Sequence, residues 1–307
     1  MTALGTSGLL PVAGVELGGT KCVCVLGSGP DDVLAEARVR TTSPIETLDA
    51  VDEVLRRWRE KHGFRAVGVA SFGPLELDTR SSDYGRVVST PKPGWSGTDL
   101  LGRVRRWGVP VGFDTDVAAA AFAEGRWGAA QGLSAFAYVT IGTGIGVGSI
   151  HGDRSIRGLG HVEAGHLRVP RLPGTDAFAG ACPFHGDCVE GLASGPAIAA
   201  RAGFPAEQLT RSDPAWDEVV HALAALFHNL VLTTAPERIL VGGGLGMGQA
   251  HLLPRIRAAL TDNLAGYAQG ARIAARIDDF LIQPALGHRA GPMGALALGL
   301  AAAEKPI

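Results

Sequence analysis

The sequence predicts an α/β protein made of two related domains with a cleft between them. Three observations predict it. Each half opens on two short β-rich runs joined by a glycine turn, Gly18-Gly19-Thr20-Lys21 in the first and Gly142-Thr143-Gly144 in the second. In each half that hairpin is followed by strands alternating with helices. At 307 residues, the chain is too long for one ordinary core and fits two.

Composition excludes several classes. With 46% hydrophobic and 19% charged residues the chain can bury a large core. Its 28 basic against 30 acidic residues give nothing that would draw it to nucleic acid or an anionic membrane. No segment nears the ~18 consecutive apolar residues of a membrane span, and residues 1–11 carry neither a basic start nor a long apolar run, so neither a signal peptide nor an anchor is expected. The expected setting is the cytoplasm, where thiols stay reduced.

The elements follow in order. Val12–Leu17 and Cys22–Leu26 form the first hairpin, with Cys22 and Cys24 on one strand face as buried, inert thiols. A strand near 33–40 completes a meander. Ser43, Pro44 and Glu46 form a capping box with proline at the first helical position, and Leu48, Val51, Leu55 and Trp58 follow at helical spacing until His62-Gly63. Residues 66–72 read as a strand, 85–95 (GRVVSTPKPGW) as a loop stiffened by Pro and Gly, 98–107 as a helix and 109–113 as a strand. That strand ends at Asp114-Thr115-Asp116 and opens into an Ala-rich helix, 117–127. In the second half, strands at 135–141 and 145–150, a helix at 216–235, a strand at 238–241, a helix at 251–268, a short strand at 280–283 and a closing helix at 292–303 are expected.

The stretch between the second hairpin and the 216–235 helix carries the most specific chemistry. Cys182, His185 and Cys188 stand three residues apart each time, and His166 lies sixteen positions before Cys182. Two thiolates and two imidazoles are the ligand set of a closed tetrahedral zinc site. The C-x-x-H-x-x-C loop presents three ligands, and His166 supplies the fourth, with His161 and His151 as weaker alternatives. A Cys182–Cys188 disulfide is the competing reading, disfavoured in a reducing compartment. Glu163 and Glu190 are interleaved with these ligands, and a soft zinc site does not need them. The metal is therefore read as holding a loop so that Glu163, His166 and Glu190 face one small polar substrate.

The glycine turns allow backbone N–H groups to converge on an anion, with Thr20 and Thr143 adding hydroxyl donors and Lys21 a point charge suited to phosphate. Neither a G-x-x-x-x-G-K-[ST] loop nor a G-x-G-x-x-G after a strand is present, which disfavours P-loop and dinucleotide-binding readings. Gly242-Gly243-Gly244-Leu245-Gly246, between a strand and a helix, would let a flat ring lie against backbone. Asp116, where a strand becomes a helix, can take the proton of a hydroxyl attacking a γ-phosphate. Asp is also a good N-cap, and spacing alone leaves open which of Asp114 and Asp116 caps.

Taken together, these motifs resemble the ROK family of sugar kinases, within the hexokinase and actin-like ATPase superfamily, and the resemblance spans Gly14 to Leu300. GVELGGTK at 14–21 resembles the family's first phosphate motif, IGTGIGVG at 141–148 the second, and RILVGGGLG at 238–246 the adenosine motif. Glu163, His166 and the Cys cluster ending in Glu190 resemble its sugar and zinc signature.

The resemblance implies two actin-like (ribonuclease H-like) ATPase domains with an interdomain cleft and a zinc-stabilised loop. The smaller domain would be residues 1–114, with the closing helix in 292–307 packing back on it; 115–291 would form the larger one. It implies Asp116 as general base and Glu163, His166 and Glu190 on the sugar, His166 giving one nitrogen to zinc and the other to sugar. ATP would be held by Gly18, Gly19, Thr20, Lys21, Gly142, Thr143, Gly144 and Gly242–Leu245, with Mg²⁺ on its phosphates. A homodimer acting on sugar and ATP, without nucleic acid or membrane, is implied.

Departures from the common family pattern carry information. Thr115 stands where many members have an Asn that helps hold the sugar, and it takes that place among the substrate contacts. Glu16 replaces a common Asp. With Cys182-Pro-Phe-His185-Gly-Asp-Cys188 and Thr90-Pro-Lys-Pro-Gly-Trp95, these look like the bacterial fructokinase branch, with D-fructose the expected substrate and mannose or glucose kinases the alternatives. Sugar-sensing regulators of the family carry an N-terminal helix-turn-helix, for which residues ahead of position 12 leave no room. A non-catalytic zinc-stabilised binding protein is disfavoured by Asp116 and the two turns.

Overall fold

The computed structural model describes residues 9–174 and 178–304. The chain opens with β1 (Val12–Leu17), β2 (Lys21–Gly29), β3 (Asp32–Arg40), α1 (Pro44–Lys61), β4 (Val67–Ser71), α2 (Leu100–Arg105), β5 (Val111–Thr115) and α3 (Asp116–Trp127). It continues through β6 (Ala135–Ile141), β7 (Ile145–His151), β8 (Arg154–Ser155), α4 (Val189–Ala193), α5 (Gly195–Ala202) and α6 (Ala215–Thr234). It closes with β9 (Arg238–Gly242), α7 (Gly243–Gly248), α8 (Leu252–Leu264), α9 (Gly270–Ala274), α10 (Ile277–Phe280), β10 (Leu281–Ile282) and α11 (Ala290–Glu304). Among the described residues no helix is long and apolar enough to cross a membrane.

The chain divides into two compact units, one of residues up to 131 with 155–161 and 289 onward, the other of 132–154 and 162–288. Helix α3 thus groups with the first sheet, whereas the sequence expectation put it at the start of the second domain. The physical reason is that α3 packs on α11, and α11 lies on the first sheet.

The first unit is a five-stranded sheet in the order β3-β2-β1-β4-β5. β1 runs antiparallel to β2 and parallel to β4, which is parallel to β5. Alternation sends Ala13, Val15 and Leu17 of β1 to one face, where they join Leu48, Val51, Leu55 and Trp58 of α1 in a common core. Ser43 caps α1 as expected, accepting from the Glu46 N–H, and Cys22 and Cys24 are fully buried. The other face is unusual. Gly14, Gly68 and Gly112 stand side by side on β1, β4 and β5, in register with one another. Nothing projects there, so α11 lies almost against the sheet backbone. A β-carbon on Gly14 would stand 2.8 Å from the Leu296 nitrogen, and those on Gly68 and Gly112 would overlap the carbonyls of Ala295 and Leu298. The helix reciprocates with Gly299, whose β-carbon would lie 2.7 Å from the Gly68 nitrogen. Helix α11 buries every residue from Met293 to Leu300, as expected of a helix apolar on all sides.

The second unit repeats the plan. Its sheet, β8-β7-β6-β9-β10 from one edge to the other, has the same succession: a third strand, the hairpin pair, then two later strands parallel to the hairpin's first. Trp216, Leu223 and Phe227 of α6 are fully buried in a core with Val139 and Ile141 of β6 and Leu260 of α8. Two differences from the sequence reading stand out. The stretch read as lying between a strand and a helix is itself a short helix over 243–248, and α8 stops at Leu264, where Ala265 turns left-handed at φ 47°.

Candidate functional site

Strand β5 delivers Asp114, Thr115 and Asp116 to the start of α3. The cap is Thr115, whose hydroxyl oxygen accepts from the Ala118 N–H at 3.2 Å, so neither aspartate caps. Thr115, expected among the substrate contacts, is buried and has its oxygen engaged by the helix. Asp114 is also buried. One of its oxygens accepts from the Thr115 N–H and the other from the Ser155 hydroxyl, both at 2.8 Å, with the Arg157 guanidinium 3.9 Å away. Burial pushes its carboxyl upward against the pull of those donors. Asp116 is half-buried and accepts only from the neighbouring Val117 N–H, at 2.8 Å, among the hydrogen bonds to side chains described for it. Burial pushes it up to about 6. Glu16 on β1 is pushed up to about 7, by burial first and by the charge of Asp116 second, against the opposing charge of Lys21.

The first glycine turn joins β1 to β2. The Gly18 N–H donates to the Lys21 carbonyl at 3.1 Å, and a β-carbon on Gly18 would stand 2.6 Å from that oxygen, so only glycine fits. Gly19, Thr20 and Lys21 are exposed. Sequence reasoning missed Lys92, whose ammonium donates to the Gly19 carbonyl; its signal was the proline-bounded Pro91-Lys92-Pro93 in the loop. Ser155 and Arg157, which hold Asp114, carried no signal.

In the second unit, His166, Cys182, His185 and Cys188 converge, their ligand atoms all within 4.8 Å of one another. The Cys182 sulfur lies 3.6 Å from Nδ1 of His166 and 3.7 Å from Nδ1 of His185, and the Cys188 sulfur 3.6 Å from Nδ1 of His166. Tetrahedral zinc with sulfur at ~2.3 Å and nitrogen at ~2.05 Å requires sulfur–nitrogen separations of about 3.6 Å. The donor set and its spacing therefore fit such an ion. Burial pushes the Cys188 thiol up to about 11, and a cation among these atoms would hold it as thiolate. All four cysteines are unbridged, so no Cys182–Cys188 disulfide forms. His161 lies in the first unit, where its Nε2 accepts from the Leu75 N–H at 3.0 Å, and His151 ends β7; neither joins the cluster.

Glycines close this loop tightly. Cys182 and Gly186 exchange backbone hydrogen bonds at 3.0 and 3.2 Å, and β-carbons on Gly180 or Gly191 would overlap the Gly186 carbonyl. With Nδ1 turned to the thiols, His166 directs Nε2 toward the Glu163 carboxylate, 4.0 Å away. Glu190, on the first turn of α4, accepts from the Ile145 N–H at 2.9 Å beside Gly144. The loop that carries the Cys/His cluster is thereby tied to the second glycine turn. That turn is closed by the Gly142 N–H on the Gly144 carbonyl at 3.0 Å and anchored by the Gly195 N–H on the Gly142 carbonyl at 2.8 Å. A β-carbon on Gly142 would lie 3.8 Å from the Gly244 nitrogen, so Gly142–Gly144 and the Gly242–Leu245 stretch share one place.

The chain belongs to the ROK family, whose profile matches residues 12–302. It is 37% identical over 94% of its length to a fructokinase of Pediococcus pentosaceus, covering 97% of that protein. It is 40% identical over 95% of its length to a fructokinase of Zymomonas mobilis, again covering 97%. Among solved structures it resembles a ROK hexokinase from Thermus thermophilus, with TM-score 0.76 and 27% identity over 95% of this chain and 98% of that one. A ROK family glucokinase from Streptomyces griseus, solved with glucose and AMPPNP, gives TM-score 0.73 at 25% identity, over 95% of this chain and 99% of that one. The actin-like α/β class expected from the sequence is the class of the fold.

Proposed function

We propose that this chain is an ATP-dependent kinase that transfers phosphate to the 6-hydroxyl of D-fructose. The observation that carries this reading is likeness to fructokinases, at 34–40% identity over 82–95% of the chain, against 32% over 68% for a glucokinase of Streptomyces coelicolor.

In this reading the hydroxyl oxygen of the sugar attacks the γ-phosphorus, its proton passes to the Asp116 carboxylate, and ADP leaves. A carboxyl near 6 is ionised at neutral pH yet more basic than an ordinary aspartate, which suits a general base. Glu163, the Nε2 of His166 and the free oxygen of Glu190 hold the remaining sugar hydroxyls, with Thr115 donating its hydroxyl hydrogen. The turns at Gly18–Lys21 and Gly142–Gly144 cradle the phosphates, and Gly242–Leu245 lies against the adenine. Mg²⁺ would neutralise phosphate charge, near Glu16; zinc on His166, Cys182, His185 and Cys188 would be structural. The reading extends to a cytoplasmic homodimer.

The test is ADP release from ATP·Mg²⁺ with fructose, mannose, glucose or N-acetylmannosamine and zinc-loaded protein. Turnover on fructose well above the aldoses supports the reading. Turnover on an aldose alone replaces the substrate and keeps the chemistry, and no turnover on any sugar overturns it.

A further inference from the structure

Three consecutive carbonyls of the β1–β2 turn are each held by a donor. The Thr41 hydroxyl donates to the Gly18 carbonyl at 2.7 Å, the Thr41 N–H to that of Thr20 at 3.1 Å, and the Lys92 ammonium to that of Gly19 between them. Thr41 follows β3 directly in the chain, but Lys92 comes from a distant loop that is itself fixed. Its anchor is Trp95, fully buried, whose indole N–H donates to the Thr42 carbonyl at 3.0 Å and whose ring meets that of Phe72 edge-on at 5.0 Å. Pro91 and Pro93 restrict the backbone on both sides of Lys92, and its ammonium stands 5.7 Å over the Phe72 ring. The side chain is half-buried, so its reach to Gly19 is prepared by the loop.

We infer that Lys92 is a positioning residue of the first phosphate turn. In a trans peptide the C=O and the following N–H point in opposite directions. Holding the Gly19 carbonyl therefore aims the Thr20 N–H away from Lys92, toward the exposed side of the turn. Among the described residues, the Gly19 and Thr20 N–H groups have no acceptor. Gly19 itself has nothing within 4 Å of where a β-carbon would be, so without Lys92 this peptide has little to stop it rotating. The ligand these amides suit is a terminal phosphate of a nucleotide, with the exposed Lys21 supplying the opposing charge. The inference rests on the turn being the phosphate site.

The experiment compares Lys92→Met, Lys92→Arg and Lys21→Met, reading ADP affinity by calorimetry and, with fructose, kcat and both KM values. Losing one charge-assisted hydrogen bond predicts that Lys92→Met weakens ADP and raises KM for ATP·Mg²⁺ about tenfold, while KM for sugar and zinc content stay at wild-type values. Lys92→Arg, still a donor, should recover most of that loss. Unchanged nucleotide constants in Lys92→Met beside a weakened Lys21→Met overturn the role of Lys92 and leave the phosphate site standing. Unchanged constants in both overturn the phosphate site and Lys92 with it. A uniform loss of sugar binding, nucleotide binding and zinc that Lys92→Arg does not recover shows a merely structural contact and also overturns the proposal. Should Lys92→Met not fold, Lys92→Gln gives the same readouts.

Discussion

The Glu16 carboxylate fills the space that a β-carbon on Gly291 would need: such a carbon would overlap one carboxylate oxygen and stand 3.2 Å from the other. Glu16 is thus seated at the first turn of α11, where unpaired N–H groups favour an anion, although burial and Asp116 work against its ionisation. The obstacle to Gly291→Ala is the far end of a flexible side chain, which can swing away. The variant should change stability by less than ~1 kcal/mol, yet raise the half-saturating Mg²⁺ concentration about threefold or more, as should Glu16→Gln. A Mg²⁺ titration of initial rates decides; a wild-type titration in both variants removes Glu16 from the metal's surroundings.

Gly68→Ala meets a different obstacle, the backbone of α11 itself, which cannot swing away. A loss of about 3 kcal/mol or more is expected from such overpacking, read from the urea midpoint. A loss below 1 kcal/mol would mean that α11 can lift from the sheet at little cost.

Asp116→Asn keeps the Val117 N–H partnered and should retain the wild-type melting temperature while kcat falls by roughly 10²–10⁴. As the proposed base Asp116 must work ionised, so in the wild type kcat/KM should fall about tenfold for each pH unit below about 6 and level off above it. A profile flat down to pH 4.5 would contradict the assignment.

The same groups predict a stability effect. Glu16 binds its proton more tightly folded, at about 7, than unfolded, at about 4.5. For an acid raised in this way, the folded state holds the extra proton between those values, so its contribution is fully present at low pH and is lost as pH rises from 4.5 through 7. Glu16→Gln cannot ionise and should gain stability relative to wild type over that window, the gain reaching a plateau above 7. Denaturation of both proteins at pH 4.5, 6 and 8 tests it, and a difference that does not grow with pH refutes it.

Purified protein should carry one zinc per chain, and chelation should cost about 3 kcal/mol or more, a drop of roughly 6–12 °C in melting temperature. Cys188→Ala should lose both the metal and the effect of chelator. Metal analysis and melting curves with and without chelator settle it; a metal-free protein with unchanged melting would refute the site.

What was legible in the sequence was local. Helix α1 announced itself through Ser43, Pro44, Glu46 and four apolar residues in phase, and the hairpins through glycine turns between β-rich runs. The His/Cys cluster was legible because three of its members lie within seven residues. Helices α4, α5 and α7 were not, because five to eight residues are too few turns for periodicity to show. The cap of α3 was ambiguous because Asp114, Thr115 and Asp116 can all cap, and only the backbone places Thr115 at the junction. The glycine row was invisible because Gly14, Gly68 and Gly112 are far apart in the chain and become neighbours only when β1, β4 and β5 pair.

That row has a consequence for how the molecule is made. A ribosome has finished β1, β4 and β5 by Thr115, long before α11 begins at Ala290. Until α11 emerges, the sheet presents a bare furrow floored by glycine backbone, without the Gly299 that meets it. The first half of the protein must therefore wait, incomplete and in need of shelter, until α11 has been translated.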